Sequence, residues 1–182
     1  MSTQYVTLIR HAKSSWQAHE QSDHDRKLNE RGKRDAPIMA QRLLERGCIP
    51  DHILCSSAKR TQETAAYITQ ELSLRADQLS IDDNLYLASP AQIVSCIQAS
   101  AGHPRHIMVI AHNPGLEELC ALLNPQTAAP MPTLGIRHFC VPSIEHIQSM
   151  LSTAQPKQSV EATTEAQNAI ELLFEDYPKR SA

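Results

Sequence analysis

The chain has 182 residues, 41% hydrophobic and 20% charged, with a net charge of −3. These values suit one domain with a sizeable core over residues 1–182, and they give no general attraction to nucleic acid or an anionic membrane, so neither is an expected partner. Five cysteines without a C-x-x-C pair argue against a disulfide framework or thiolate zinc site, and for buried core positions in a reducing cytoplasm.

Tyr5–Ile9 reads as a short β-strand, too short for a secretory h-region. A helix is expected from Asn29 toward Arg46, with Ala36, Met39, Ala40 and Leu43 on one face. Pro37 should kink it, having no N–H to donate back one turn. His52–Cys55 reads as a second strand. Ser57 is a fair N-cap for a helix from Ala58 to Leu72, with Thr61, Ala65, Ile68 and Leu72 inward. A short strand is expected near Leu79–Asp82, and Ser89-Pro90 marks a helix start. His106–Ala111 is a continuous apolar run, the mark of a buried strand. The turn His112–Gly115 leads into a helix ending near Leu123. Thr133–Val141 is expected as a strand, Ser143–Leu151 as a helix, and residues 153–168 as a mobile surface loop before a last strand at Ile170–Phe174. Strand and helix alternate, so the expected class is α/β with a largely parallel central sheet and helices on both faces.

In open α/β sheets, ligands bind beyond the carboxyl ends of the strands. That rule selects Arg10 and His11, then Ser56, Ser57 and Arg60, then His112 and Asn113, with Lys13 close by. One histidine after a strand is ordinarily a loop or capping residue. Two histidines and two arginines at three strand ends make a candidate pocket for a dianion. Arginine matches phosphate oxygens in bidentate geometry and stays charged. The helix starting near Ser57 is expected to add backbone N–H groups. A neutral imidazole can act as nucleophile, and a second can donate to the transferring group. With arginines neutralising charge, neither metal nor cofactor is expected. The nine histidines show no H-E-x-x-H motif, and arginines beside His11 would repel a cation.

LIRHAKSSW at Leu8–Trp16 resembles the Arg-His signature of the histidine phosphatase superfamily, the phosphoglycerate mutase-like proteins. DHDRKLNERGKRDA at Asp23–Ala36, SSAKRTQETA at Ser56–Ala65, IAHNPGLEEL at Ile110–Leu119 and MPTLGIRHF at Met131–Phe139 extend the likeness, which is to the SixA-type phosphohistidine phosphatase branch. The resemblance implies a three-layer α/β/α sandwich. It makes His11 the phosphorylated nucleophile, Arg10 and Arg60 the phosphate-binding arginines, and His112 the second histidine of the pocket. Lys13, Arg26 and Asn113 sit in matching motif positions and are implied to bind substrate.

The mutase-type members place a proton-donating glutamate after the third strand. Here that region reads IDDNLYLASPAQ, whose carboxylates Asp82 and Asp83 more often belong to a solvated turn, and the SixA-type branch typically lacks the glutamate. An alkoxide leaving group needs a proton, whereas the imidazole of phosphohistidine is a weaker base. The expectation is therefore a metal-independent cytoplasmic phosphatase acting on phosphohistidine in proteins. The alternatives are a small-molecule or phosphoserine/threonine phosphatase with the same residues, or a phosphate-binding module without turnover.

Overall fold

The computed structural model describes residues 4–16, 22–100, 102, 104–127, 130–153 and 170–178. Along them the chain runs β1 (Gln4–Arg10), α1 (Glu30–Glu45), β2 (His52–Ser56), α2 (Lys59–Glu71), β3 (Leu79–Asp82), α3 (Pro90–Ala99), β4 (His106–Ala111), α4 (Gly115–Leu123), β5 (Ile136–Val141), α5 (Ile144–Thr153) and β6 (Glu171–Asp176). The strand order is β3-β2-β4-β1-β5-β6. The first four strands in that order are parallel, whereas β5 runs antiparallel to β1 and β6 antiparallel to β5. The sheet is thus largely parallel, with an antiparallel pair at one edge.

Alternation along the strands sends side chains to two separate cores. Val6, Leu8, Leu54, Ile107, Val109 and Phe139 face α3, α4 and α5. Ile9, Ile53, Cys55, Met108, Ile110 and Ile136 face α1 and α2. The result is a three-layer α/β/α sandwich. β4, at its centre, is buried at every residue, which is why it reads as an unbroken apolar run.

Local side-chain chemistry sets the starts of two helices, α1 and α3. Asn29 caps α1 by accepting from Gly32 N at 2.9 Å. Ser89 and Gln92 form a reciprocal capping box around Pro90 at the start of α3, an arrangement that satisfies two donors the helix leaves free. Some expectations differ from the fold. α1 runs through Pro37 as one helix. α2 is capped at Ala58 without a side-chain bond, because Ser57 Oγ is engaged with His24 Nε2 at 3.0 Å. β5 starts at Ile136 rather than Thr133, and β6 spans Glu171–Asp176. The expected loop at 153–168 lies outside the described residues except for Thr153, which ends α5. Four cysteines are buried and Cys140 is half-buried. Among the described residues, no helix is long and apolar enough to cross a membrane.

Candidate active site

β1 ends at Arg10, and the turn beyond it carries His11 and Ala12. Neighbouring backbone holds that turn. Arg10 N donates to Gly135 O at 3.1 Å, His11 N to Ala111 O at 3.2 Å, and Leu134 N to the Arg10 and His11 carbonyls. Ala12 N donates to Thr64 Oγ1 at 3.0 Å, and that hydroxyl donates to Arg60 O at 2.7 Å. The end of β1 and the first turn of α2 are therefore tied together.

His11 is 8% exposed. Its Nδ1 lies 2.8 Å from Ala12 O. A carbonyl only accepts, so Nδ1 carries the hydrogen and Nε2 keeps its lone pair. Burial pushes this imidazole down; the Ala12 bond opposes the shift, the charges of Arg60, Arg10 and Arg26 add to it, and the pKa falls to about 3. His11 is neutral at neutral pH with one bare nitrogen.

The same logic applies to His112, whose ring centroid lies 5.2 Å from that of His11. Arg60 only donates, so His112 Nδ1, 3.2 Å from a terminal nitrogen of Arg60, accepts. Nε2 then donates to Ser56 Oγ at 2.8 Å. Burial first, then Arg60, lowers the His112 pKa to about 3. The expected donation from His112 to a transferring group is not set up in this state, because both ring nitrogens are already engaged.

Arg60 is 3% exposed. It donates to the Asp23 carbonyl and, at 3.0 Å, to Asp23 Oδ2. Arg10 donates to Met131 O at 2.8 Å. The Nε groups of Arg10 and Arg60 are buried with no hydrogen-bond partner, so each guanidinium keeps donor capacity for an oxyanion.

The seven residues given a catalytic or binding role by the resemblance, Arg10, His11, Lys13, Arg26, Arg60, His112 and Asn113, line one cavity of about 400 Å³, whereas Ser56 and Ser57 are not in its lining. Lys13 is exposed at its edge. Arg26 spends its nitrogens on protein groups, Ser15 O at 2.9 Å, Asp23 Oδ1 at 2.6 Å and Ser14 Oγ at 2.7 Å, and its guanidinium lies over the Trp16 ring at 3.5 Å. Asn113 Nδ2 donates to Glu117 Oε1 and Met131 O, while its Oδ1 is buried without a partner. Arg26 and Asn113 thus brace the cavity wall. The helix-end amides expected to face an anion are partly spent, since Lys59 N donates to His24 O at 2.9 Å.

Sequence reasoning missed Asp23, Tyr86 and Glu117. Asp23 is the one carboxylate lining the cavity among the described residues, and Tyr86 OH donates to its Oδ2 at 2.8 Å. Burial works to raise the Asp23 carboxyl, but hydrogen bonds from Tyr86 and Arg26 and the charges of Arg60 and Arg26 outweigh it and hold the pKa at about 2. Asp82 and Asp83 lie outside the cavity lining; Asp82 caps the 3-10 turn Asp83–Leu85 by accepting from Asn84 N. The available signal for Asp23 was its place three residues before Arg26 in a motif already singled out.

Residues 6–85 match the model of the histidine phosphatase superfamily, branch 1. An uncharacterized chloroplastic protein of Arabidopsis thaliana is 32% identical over 131 residues, covering 65% of this chain and 58% of the relative, so the match spans little more than half of that protein. An uncharacterized protein of Mycobacterium tuberculosis is 30% identical over 115 residues, covering 63% of this chain and 69% of the relative. Among solved structures, one from Agrobacterium tumefaciens that carries the SixA name has a TM-score of 0.75 at 24% identity, covering 97% of this chain and 99% of its own. The protein histidine phosphatase SixA in complex with tungstate has a TM-score of 0.66 at 24% identity, covering 75% of this chain and 88% of its own. With the family model matching the stretch that carries Arg10, His11 and Arg60, and a relative of matching extent, the chain belongs to the histidine phosphatase superfamily.

Proposed function

We propose that the protein is a phosphatase that hydrolyses phosphohistidine in proteins through a covalent intermediate on His11, with no metal in the chemistry. The observation that carries the substrate assignment is the state of Asp23. It is the carboxylate in the cavity, and at a pKa of about 2 it holds no proton to give at neutral pH. A phosphate ester whose alkoxide must be protonated as it leaves is poorly served by such a site. The free ring nitrogen of phosphohistidine takes a proton from solvent near the ordinary imidazole pKa of about 6.5, so the imidazole leaves as a neutral molecule and needs no acid from the protein.

In this reading, the substrate phosphoryl group docks on Arg10 and Arg60, which supply the charge neutralisation that phosphoryl transfer requires. Arg60 turns from Asp23 and His112 toward the phosphoryl oxygens. His112 Nδ1 then takes up a proton beside the dianion and donates to it. His11 Nε2 attacks phosphorus in line; the P–N bond to the substrate imidazole breaks and its electron pair stays on the leaving nitrogen. Water attacks the phosphoryl-His11, the second P–N bond breaks, and its electrons return to Nε2. The proton shed by water leaves with phosphate or solvent. The Nδ1–H bond to Ala12 keeps the ring in one tautomer and orientation throughout.

The test compares a phosphohistidine peptide, a phosphoserine peptide and a sugar phosphate in chelator-treated buffer. The expected kcat/KM for phosphohistidine exceeds the others by on the order of 100-fold, the scale of one lost proton transfer. His11→Ala should lose both turnover and acid-labile phosphoryl labelling. A sugar phosphate turned over faster overturns the substrate; labelling retained in His11→Ala overturns the nucleophile.

A further inference from the structure

A second polar cluster lies at the opposite end of the strands. Thr7 sits in the middle of β1, His106 opens β4, His138 lies on β5, and Cys48 precedes β2. Cys48 belongs to the core layer between the sheet and α1 and α2. Thr7 Oγ1 is 2.7 Å from His106 Nε2, 2.8 Å from His138 Nδ1 and 3.5 Å from Cys48 Sγ. Cys48 Sγ is 3.7 Å from His138 Nδ1. The sulfur and the two ring nitrogens all fall within 4.8 Å of one another.

These are the atom types and spacings of a zinc-class site. With Zn–N at about 2.0–2.1 Å and Zn–S at about 2.3 Å, neighbouring ligand atoms of a tetrahedron lie roughly 3.3–3.7 Å apart, so the Cys48–His138 edge fits without backbone movement. His106 is already oriented as a ligand. Its Nδ1 lies 2.9 Å from Ile49 O, so the carbonyl takes that hydrogen and the Nε2 lone pair points into the cluster. Metal-bound histidines are held by such a partner. The cluster is costly as a purely structural device. Cys48 is 3% exposed and the two histidines 8% each, and apolar side chains would fill the same space without desolvating two imidazoles. A surface cavity of about 370 Å³, lined by Tyr5, Cys48, Asp51, His106 and His138 among others, gives an ion and a water a way in.

We propose that Cys48, His106 and His138 bind Zn²⁺, with the Thr7 hydroxyl or a water as fourth ligand. On binding, the Cys48 thiol releases its proton to solvent, and the His138 ring hydrogen moves from Nδ1 to Nε2. The Thr7 hydroxyl turns away from His106 Nε2. The ion clamps β1, β4, β5 and the segment ahead of β2 at the end of the sheet remote from the phosphate cavity, as a structural rather than a reacting metal.

The experiment titrates the full chain, stripped with chelator, with Zn²⁺ and with Co²⁺. One equivalent is expected to bind, with a thiolate-to-Co²⁺ charge-transfer band in the near ultraviolet and a rise in melting temperature on adding Zn²⁺. Cys48→Ser should remove the charge-transfer band, and His138→Gln should weaken Zn²⁺ binding by about 100-fold or more, beyond the usual effect of losing an outer partner. Wild-type protein that binds no stoichiometric ion overturns the proposal without any variant. Binding that survives both substitutions but falls in His11→Ala also overturns it, by placing the ion in the phosphate cavity.

Discussion

At the scale of single residues, Asp23 decides most. Its carboxylate is bonded to Arg26, Arg60 and Tyr86 at once. It therefore contends with any phosphate for Arg60, and as a like charge in the same cavity it repels the phosphate besides. Asp23→Asn keeps the size and an acceptor oxygen while removing the charge. Inorganic phosphate is then expected to inhibit about tenfold more tightly, the scale of one charge pair a few ångströms apart in partly screened surroundings. The readout is the inhibition constant for phosphate at neutral pH. An unchanged or weaker constant would show that the carboxylate does not contend for the site. The sequence exposed Arg10, His11, Arg60 and His112 because each follows a strand with an evident apolar pattern. Asp23 lies in a loop between β1 and α1, where no periodicity places a side chain, and long-range contacts with Arg60 and Tyr86 hold it at the cavity.

Elements position the site through close backbone contact, and two glycines separate contact from conformation. Gly115 opens α4, directly after the turn that carries His112 and Asn113. A Cβ at Gly115 would run into the Ala88 carbonyl, which is backbone and cannot rotate away. Gly47, just past α1, has a φ of +65° and open space around it. There Cys48 N returns to Leu43 O at 2.9 Å and closes the helix end. Gly115→Ala is expected to cost ~1–3 kcal/mol as an overpacked contact and to lower kcat by tenfold or more, because the His112 turn must shift. Gly47→Ala is expected to cost ~1–2 kcal/mol as left-handed strain with kcat unchanged. Denaturant unfolding and turnover measured on the same pair test this. Equal losses of kcat would mean that general destabilisation, rather than the turn, controls activity. The helices and buried strands were readable at this scale, since caps such as Ser89 with Gln92 and a run such as HIMVIA are local signals. The antiparallel seat of β5 was not, because strand direction follows from packing across the whole sheet.

Across the whole fold, four neutral histidines are buried among the described residues: His11 and His112 at the phosphate cavity, and His106 and His138 in the Cys48 cluster. The Cys48 cluster was hidden in the sequence because its ligands come from three distant stretches with no shared spacing. His11 and His112 have pKa values of about 3 and His138 about 4, and His106 is also lowered; burial is the largest cause in each, from an ordinary value of 6.5. The unfolded chain takes up these protons as pH falls through 6.5, while the folded chain takes up all four later, and those of His11, His112 and His138 only at about 3 to 4. The unfolded state then binds more protons, so stability declines as pH falls across that window. Each tenfold difference in proton affinity between the two states is worth ~1.4 kcal/mol, and each kcal/mol ~2–4 °C for a domain of this size. The metal-free protein should therefore lose roughly 10 °C or more of melting temperature between pH 7 and pH 4. The Asp23 contribution is lost only lower, between its unfolded value of 3.8 and about 2, so it does not account for a decline beginning above pH 5. Calorimetry in chelator at half-unit pH steps locates the onset. A melting temperature flat down to pH 5 would mean that the buried imidazoles protonate in the folded state, and with them His11, whose bare Nε2 the covalent mechanism requires.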